Sequence, residues 1–297
     1  MRSKPKELYE DADAVTLNLE KPTTRWFNMG WWTKHGQEPF AEAAAEHCRQ
    51  VAFAAQLQPG KRILEVGYGS GDSTLLLAEE FPPSSYIGFT SLAAQQALTT
   101  AERAEAASHS RSQFRLLQGD AAHCLSSLPP SSVDAILAVD CAYHFSPRTS
   151  FLRSALPLLS SPSARLALSD LLLPSTPLSL LDSVLLRLLC FAANLPFSNL
   201  HTPADYRKQL VQMGYAEDSI KMREISEKVW PGFIRFVERR EKALGGVLGS
   251  KWTGLRMYAK VVQWYSGYGG GTKRLGFWLI SAGREANGQG AESKKEQ

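Results

Sequence analysis

Cysteine is scarce in this chain of 297 residues. Only Cys48, Cys124, Cys141 and Cys190 are present, and no two of them form a Cys-x-x-Cys pair. That spacing excludes a dense disulfide framework and the common zinc clusters, so no metal is expected, and it fits a reducing compartment. Long hydrophobic runs are also missing. No uninterrupted apolar stretch approaches the roughly 18 residues of a membrane-spanning helix. The charged start, MRSKPKELYEDADAV, lacks the apolar centre of a secretory signal. A soluble, cytoplasmic protein is the expectation. Charge of one sign is only slightly in excess: 33 Lys and Arg against 29 Asp and Glu leave +4, too little to argue for nucleic acid. The excess is uneven. Between Lys221 and Arg274 twelve basic residues stand against four acidic ones, an excess of eight, so the rest of the chain carries −4.

Hydrophobic residues make up 44% of the chain and charged residues 21%, the usage of an ordinary globular protein. The first forty residues are polar and aromatic, with WFNMGWW at 26–32. An Ala-rich helical run over 39–58 stops at Pro59-Gly60. Apolar strands are then predicted at 62–67, 86–89, 114–118, 133–140 and 164–172. Helices between them are predicted at 73–80, 92–107 and 148–159. Apolar strands spaced by helices imply a parallel sheet covered on both faces, with ligands beyond the strands' carboxyl ends. Further helices are expected at 178–197 and 202–215, a sixth strand near 219–225, and a helical insert over 232–264 broken near 245–249. A last strand is expected at 274–282, before a polar, disordered tail from 284.

Chemistry is therefore sought just after each strand. LEVGYGSGD (64–72) puts Gly67, Gly69 and Gly71 between a strand and a helix, where backbone must turn sharply and approach a ligand closely. A dinucleotide fingerprint would need its third glycine at position 72, which is Asp72, and no Gly-Lys-Ser/Thr ending marks a P-loop.

An acidic residue followed by x-Gly-x-Gly-x-Gly after a first strand resembles the first motif of class I S-adenosylmethionine-dependent methyltransferases. The resemblance implies a loop around the amino acid part of the cofactor, with Glu65 helping to hold its ammonium group. GFTSLAAQ (88–95) is similar to the Gly-Ile-Thr-Leu-Ser-x-x-Gln segment of the cyclopropane-synthase-like and sterol-methyltransferase-like branches. The commoner branch has an acidic residue after the second strand. Here Thr90 replaces it, so Thr90, Ser91 and Gln95 are the implied contacts. GDA (119–121) resembles the segment whose Asp120 and Ala121 would flank the adenine. FNMGWW (27–32) is similar to an aromatic run that closes over the cofactor, which nominates Asn28 and Met29; an aromatic cluster merely packed on the sheet is the alternative. The implied fold is a Rossmann-like sheet of seven strands, mostly parallel with an antiparallel last strand, bearing helices on both faces. The implied organisation is an N-terminal lid over 1–40 and one domain over 41–283, with helical inserts near 176–200 and 231–266.

VDCAYHF (139–145) leaves the fourth strand where methyl group and acceptor would meet, with Val139 against the cofactor. Methyl transfer from a sulfonium mainly needs collinear alignment and exclusion of water. A base is needed only for a hydroxyl or carbon acid, and a histidine suits that task. His144 is the candidate base, with Tyr143 and Asp140 as positioning partners; capping the strand is its other reading. Cyclopropane synthases carry Glu before the comparable His, so Tyr143 argues for plain methylation of oxygen, nitrogen or activated carbon. His35, His47, His109, His123 and His201 read as surface residues, with His35 able to enter the site alongside the lid. The segments 178–197 and 228–264 supply Phe191, Phe197, Trp230 and Phe233 for a lipophilic small-molecule acceptor. The basic 221–274 stretch is a candidate for peripheral membrane contact. A nucleic-acid methyltransferase and a non-catalytic cofactor-binding protein are the alternatives, although no Asn/Asp-Pro-Pro-Tyr/Phe motif follows the fourth strand.

Overall fold

The computed structural model describes residues 16–21, 23–91, 97–107, 113–121 and 123–285, with backbone alone at 97–99, 107 and 244–252. Seven strands form one sheet: β1 (Arg62–Val66), β2 (Ser85–Thr90), β3 (Gln113–Gln118), β4 (Ala135–Ala138), β5 (Arg165–Leu172), β6 (Lys221–Glu224) and β7 (Gly276–Ala282). Their order is β3-β2-β1-β4-β5-β7-β6. The first five strands run parallel, and β7 is antiparallel to both β5 and β6. This is the Rossmann-like sheet with an antiparallel last strand.

The reason lies in the strands' composition. AILA and RLALSDLL are buried almost throughout, as strands covered on both faces must be. Alternation sorts their side chains between two cores. Ile63, Ala135 and Leu137 enter one core, whereas Leu64, Val66, Ile136 and Ala138 enter the other.

Helices α1 (Phe40–Ala54), α2 (Asp72–Glu80), α3 (Ala97–Ala107) and α4 (Arg148–Ala155) flank the sheet, followed by α5 (Leu180–Ala192), α6 (Pro203–Gln212) and α7 (Ser226–Ser266). Caps set two of the starts. Ser179 accepts from the Asp182 amide at 3.0 Å ahead of α5, and Thr202 accepts from Asp205 at 3.2 Å ahead of α6. Strand β4 is shorter than the apolar run predicts. Val133 makes only an isolated bridge to Leu159, and Asp140 turns out of the extended region at φ +53°.

The α7 stretch begins at Ser226, six residues before the expected start, and is helical through 245–249. It is not one rod. A straight helix of that length would run about 60 Å. Yet the rings of Trp230 and Tyr265 lie 5.2 Å apart, those of Phe233 and Tyr258 5.8 Å, and Glu241 pairs with Arg256 at 2.9 Å. Such contacts require an outgoing and a returning arm, with the reversal near Gly245, Gly246 and Gly249. The helical pattern therefore persists where a break was expected, but the direction reverses there.

Candidate active site

A cavity of about 800 Å³ opens at the carboxyl ends of β1, β2 and β4. Its wall begins with the glycine loop. Gly67, Gly69 and Gly71 have φ of +85°, +56° and +94°, conformations that favour glycine. Their surroundings separate their roles. A Cβ at Gly69 would meet nothing within 4 Å, and the residue lines the cavity. A Cβ at Gly67 would strike Cys141, and one at Gly71 would strike Thr100. Gly71 lies off the cavity wall, packed against Thr100 of α3.

Glu65 is likewise off the cavity wall. It is fully buried behind the loop, where it accepts hydrogen bonds from Thr74 at 2.9 Å, from Tyr86 and from Ser73. Burial raises its pKa, and those three hydroxyls oppose the rise. Its oxygens brace β1, β2 and the start of α2 rather than face the cavity. The acidic groups that do reach the wall are Asp72, Asp120 and Asp140. The sequence reading used Asp72 only to exclude a dinucleotide fingerprint. In the structure it accepts the Arg25 amide at 3.0 Å and joins the N-terminal segment to the loop.

The remaining nominated residues converge. Asn28, Met29, Gly67, Thr90, Ser91, Asp120, Ala121 and Val139 all line the same cavity, as do Asp140, Tyr143 and His144. Gln95 lies outside the described residues. The segment 119–121 after β3 is positioned by the sheet edge, since the Gly119 amide donates to the Thr90 carbonyl at 2.8 Å.

Asp140 is the junction of the site. Its Oδ2 accepts the Met29 amide at 2.6 Å, and its Oδ1 accepts the Tyr143 hydroxyl at 2.8 Å. Its own amide donates to Ser169 Oγ at 2.8 Å. Burial pushes its pKa up to about 7, aided by the nearby Asp170 carboxylate and opposed by the two hydrogen bonds. One carboxylate thus ties the N-terminal aromatic run to the end of β4 and aims a phenol. Asn199, absent from the sequence reading, donates to the carbonyls of Tyr143 at 2.9 Å and Phe145 at 2.8 Å and so fixes this turn. No local signal marked it, since it sits beside Ser198 in a short polar stretch. The His144 ring lies tilted against Tyr143 with centroids 4.5 Å apart, and burial lowers its pKa, partly offset by a hydrogen bond it donates to the Asn194 backbone.

The far wall is apolar. Leu186, Leu189, Cys190, Phe233, Tyr258 and Phe277 are among its residues. Phe191, Phe197 and Trp230 were nominated for this wall but lie off it; Phe191 is 88% exposed and Trp230 is core. His47 is also corrected. It is fully buried on α1, edge-on to Phe277 at 5.5 Å, with neither ring nitrogen hydrogen-bonded. His35 is exposed and off the wall. His109 lies outside the described residues.

A family profile described as a methyltransferase domain matches residues 40–219, more than half of the chain. The chain belongs to that methyltransferase family. The family's methyl donor is S-adenosylmethionine, and the residues present fit it: an open glycine cradle at Gly69 leads to polar Thr90, Ser91 and Asp120. The chain is 28% identical over 207 residues to the erythromycin 3''-O-methyltransferase of Saccharopolyspora erythraea, a match covering 66% of this chain and 63% of that protein. The chain therefore spans just under two thirds of that relative's length. Among solved structures it resembles the cyclopropane synthase MmaA2 from Mycobacterium tuberculosis, at 15% identity, TM-score 0.64 and coverage of 91% and 93% of the two chains. It also resembles geranyl diphosphate C-methyltransferase from Streptomyces coelicolor A3(2), at 13% identity, TM-score 0.59 and coverage of 95% and 100%. At these identities the shared feature is the methyltransferase fold.

Proposed function

We propose that this protein transfers a methyl group from S-adenosylmethionine to a small lipophilic acceptor, with a hydroxyl as the acceptor group. One observation carries the reading: a single cavity joins the glycine loop to an apolar wall, and Tyr143 and His144 stand between them. The relative that methylates an oxygen of erythromycin supports an oxygen acceptor.

When bound, the donor supplies a methyl group made electrophilic by its sulfonium. The chain's residues supply alignment and a dry site. Gly67 and Gly69 leave room at the loop, while Thr90, Ser91 and Asp120 offer polar groups to the nucleoside part. The segment carrying Asn28 and Met29 acts as a lid, held shut through the Asp140 carboxylate, and excludes water. Asp140 is a positioning residue, because both its oxygens already hold the Met29 amide and the Tyr143 hydroxyl. His144, kept neutral by burial, takes the acceptor's hydroxyl proton on a ring nitrogen as the new bond forms.

Titration calorimetry with S-adenosylmethionine and S-adenosylhomocysteine, with NAD as control, tests the donor. Micromolar binding of the first two and none of NAD is expected. Incubation with hydroxylated polyketide, isoprenoid and aromatic compounds should then yield products heavier by one methyl group. Tight donor binding with no turnover of any hydroxylated acceptor would make it a cofactor-binding partner protein instead.

A further inference from the structure

Helix α5 is apolar except for Asp182, Ser183 and Arg187, yet only one side of it is covered. Leu186, Leu189 and Cys190 face the cavity. On the opposite side Leu180, Leu181, Val184, Leu185, Leu188 and Phe191 point outward, and Leu180 and Phe191 are each 88% exposed. Successive residues step by about 100°, so these six fall within a single face that carries no polar side chain. A helix of this kind is ordinarily buried, and a contiguous apolar patch this large marks a docking surface.

The charges around it select the occupant. Arg187 borders the apolar face, where it is exposed and lies over the Phe197 ring at 4.1 Å. The helix's one acid, Asp182, is neutralised by Arg274 at 2.6 Å. Arg274 also donates to the Trp264 carbonyl at 2.8 Å, so it clamps α5 to the returning arm of α7. On that arm Met257 and Lys260 are exposed, while the exposed Arg256 is paired with Glu241 at 2.9 Å. Over the segment from Lys221 to Arg274 the net charge is +8, although Arg239 and Arg240 are paired with Glu20 and Lys273 with Glu224.

We infer that the outward face of α5 docks on an anionic lipid surface, with its leucines and Phe191 among the acyl chains and the neighbouring cations over the headgroups. The helix lies flat rather than crossing. Its thirteen residues span about 20 Å against the roughly 30 Å of hydrocarbon, and among the described residues no helix is long and apolar enough to cross a membrane. A symmetric contact with a second copy would bring the same cations against one another. An anionic bilayer complements them. Docking in this way sets the cavity's apolar wall beside the hydrocarbon, a direct route for a lipophilic acceptor. The inference adds a binding surface to the proposed activity and is read without any turnover.

The test is flotation of the full-length protein with vesicles of phosphatidylcholine alone, and of phosphatidylcholine mixed with phosphatidylglycerol. Binding is expected to the mixed vesicles and to weaken as salt is raised. Leu188→Glu with Phe191→Glu should lower it by roughly tenfold or more, with an unchanged circular-dichroism melt. Phe191→Ser alone, at a fully solvated position, gives a milder variant that should bind measurably less should the double variant unfold. Absence of wild-type binding, or equal binding by wild type and variants, overturns the proposal. So does sedimentation showing a lipid-free dimer that the substitutions dissociate, since the face would then be an interface between copies.

Discussion

At the scale of single residues, Gly69 and His144 separate binding from catalysis. Gly69 sits at φ +56° with open cavity where a side chain would project. Gly69→Val must adopt a left-handed conformation that a β-branched residue resists, and its methyls would fill the donor's space. Affinity for S-adenosylmethionine should fall by about a hundredfold or more by calorimetry. Affinity retained within a few-fold would remove the loop from the site. Gly71→Ala is the contrasting change. Its clash with Thr100 should lower the melting temperature, with donor affinity less affected than in Gly69→Val. His144→Ala should reduce kcat toward a hydroxyl acceptor by roughly 10²–10⁴ while leaving donor affinity nearly unchanged. Because burial lowers the His144 pKa, its neutral form persists below the ordinary histidine range, and the acid limb of the wild-type kcat profile should fall below about pH 6.5. Equal loss of kcat and donor affinity in the variant would make it a structural residue.

Among the elements, α1 carries a cost that its surroundings do not repay. His47 is sealed against Phe277 with both nitrogens unpartnered, and burial lowers its pKa from 6.5 to about 3. Between those values the unfolded chain binds a proton that the folded chain refuses, so stability is lost as pH falls from about 6.5 toward 3. His47→Leu should raise stability by about 1 kcal/mol or more at neutral pH and flatten that acid loss, as urea melts at pH 7 and pH 5 would read. A parallel loss in wild type and variant would mean that other groups drive it. The same residue shows where sequence stops being legible. β1, β4 and β5 were readable because strands covered on both faces must be apolar runs, and the glycine loop because its φ values favour glycine. His47 was not, since a polar side chain in an amphipathic helix reads as surface until its neighbours are known. Glu65 was displaced for a related reason. Its position near the end of β1 is fixed by the motif, but its direction is set by Tyr86 and Thr74 on other elements. Asn199 and Ser169 hold the turn after β4 from 29 to 56 residues away, distances that no local pattern encodes.

For the molecule as a whole, the cavity exists because distant parts of the chain close over one end of the sheet. The N-terminal run reaches it through Met29 and is anchored by Trp32, whose ring lies 5.3 Å from Phe236 on α7 and 6.2 Å from Phe40 on α1. The Trp32 amide donates to the Lys228 carbonyl at 2.7 Å, and its indole donates to the Met29 carbonyl at 2.9 Å. Gly232 is glycine at this crossing because a Cβ there would collide with the indole. Trp32 therefore pins the N-terminal segment to α1 and α7, while the hydrogen bond from Met29 to Asp140 ties that segment to the turn after β4. Trp32→Ala should cost about 3–5 kcal/mol of stability by denaturant melt, as loss of a buried tryptophan does. It should also weaken donor binding, because Asn28 and Met29 lose their support while the glycine loop stays intact. Trp32→Phe, which keeps the ring but not the indole donor, should recover most of the stability and less of the donor affinity. If Trp32→Ala melted early but bound S-adenosylmethionine as tightly as wild type, the aromatic run would be packing on the sheet alone, and closure of the cavity would have to come from α5 and the returning arm of α7.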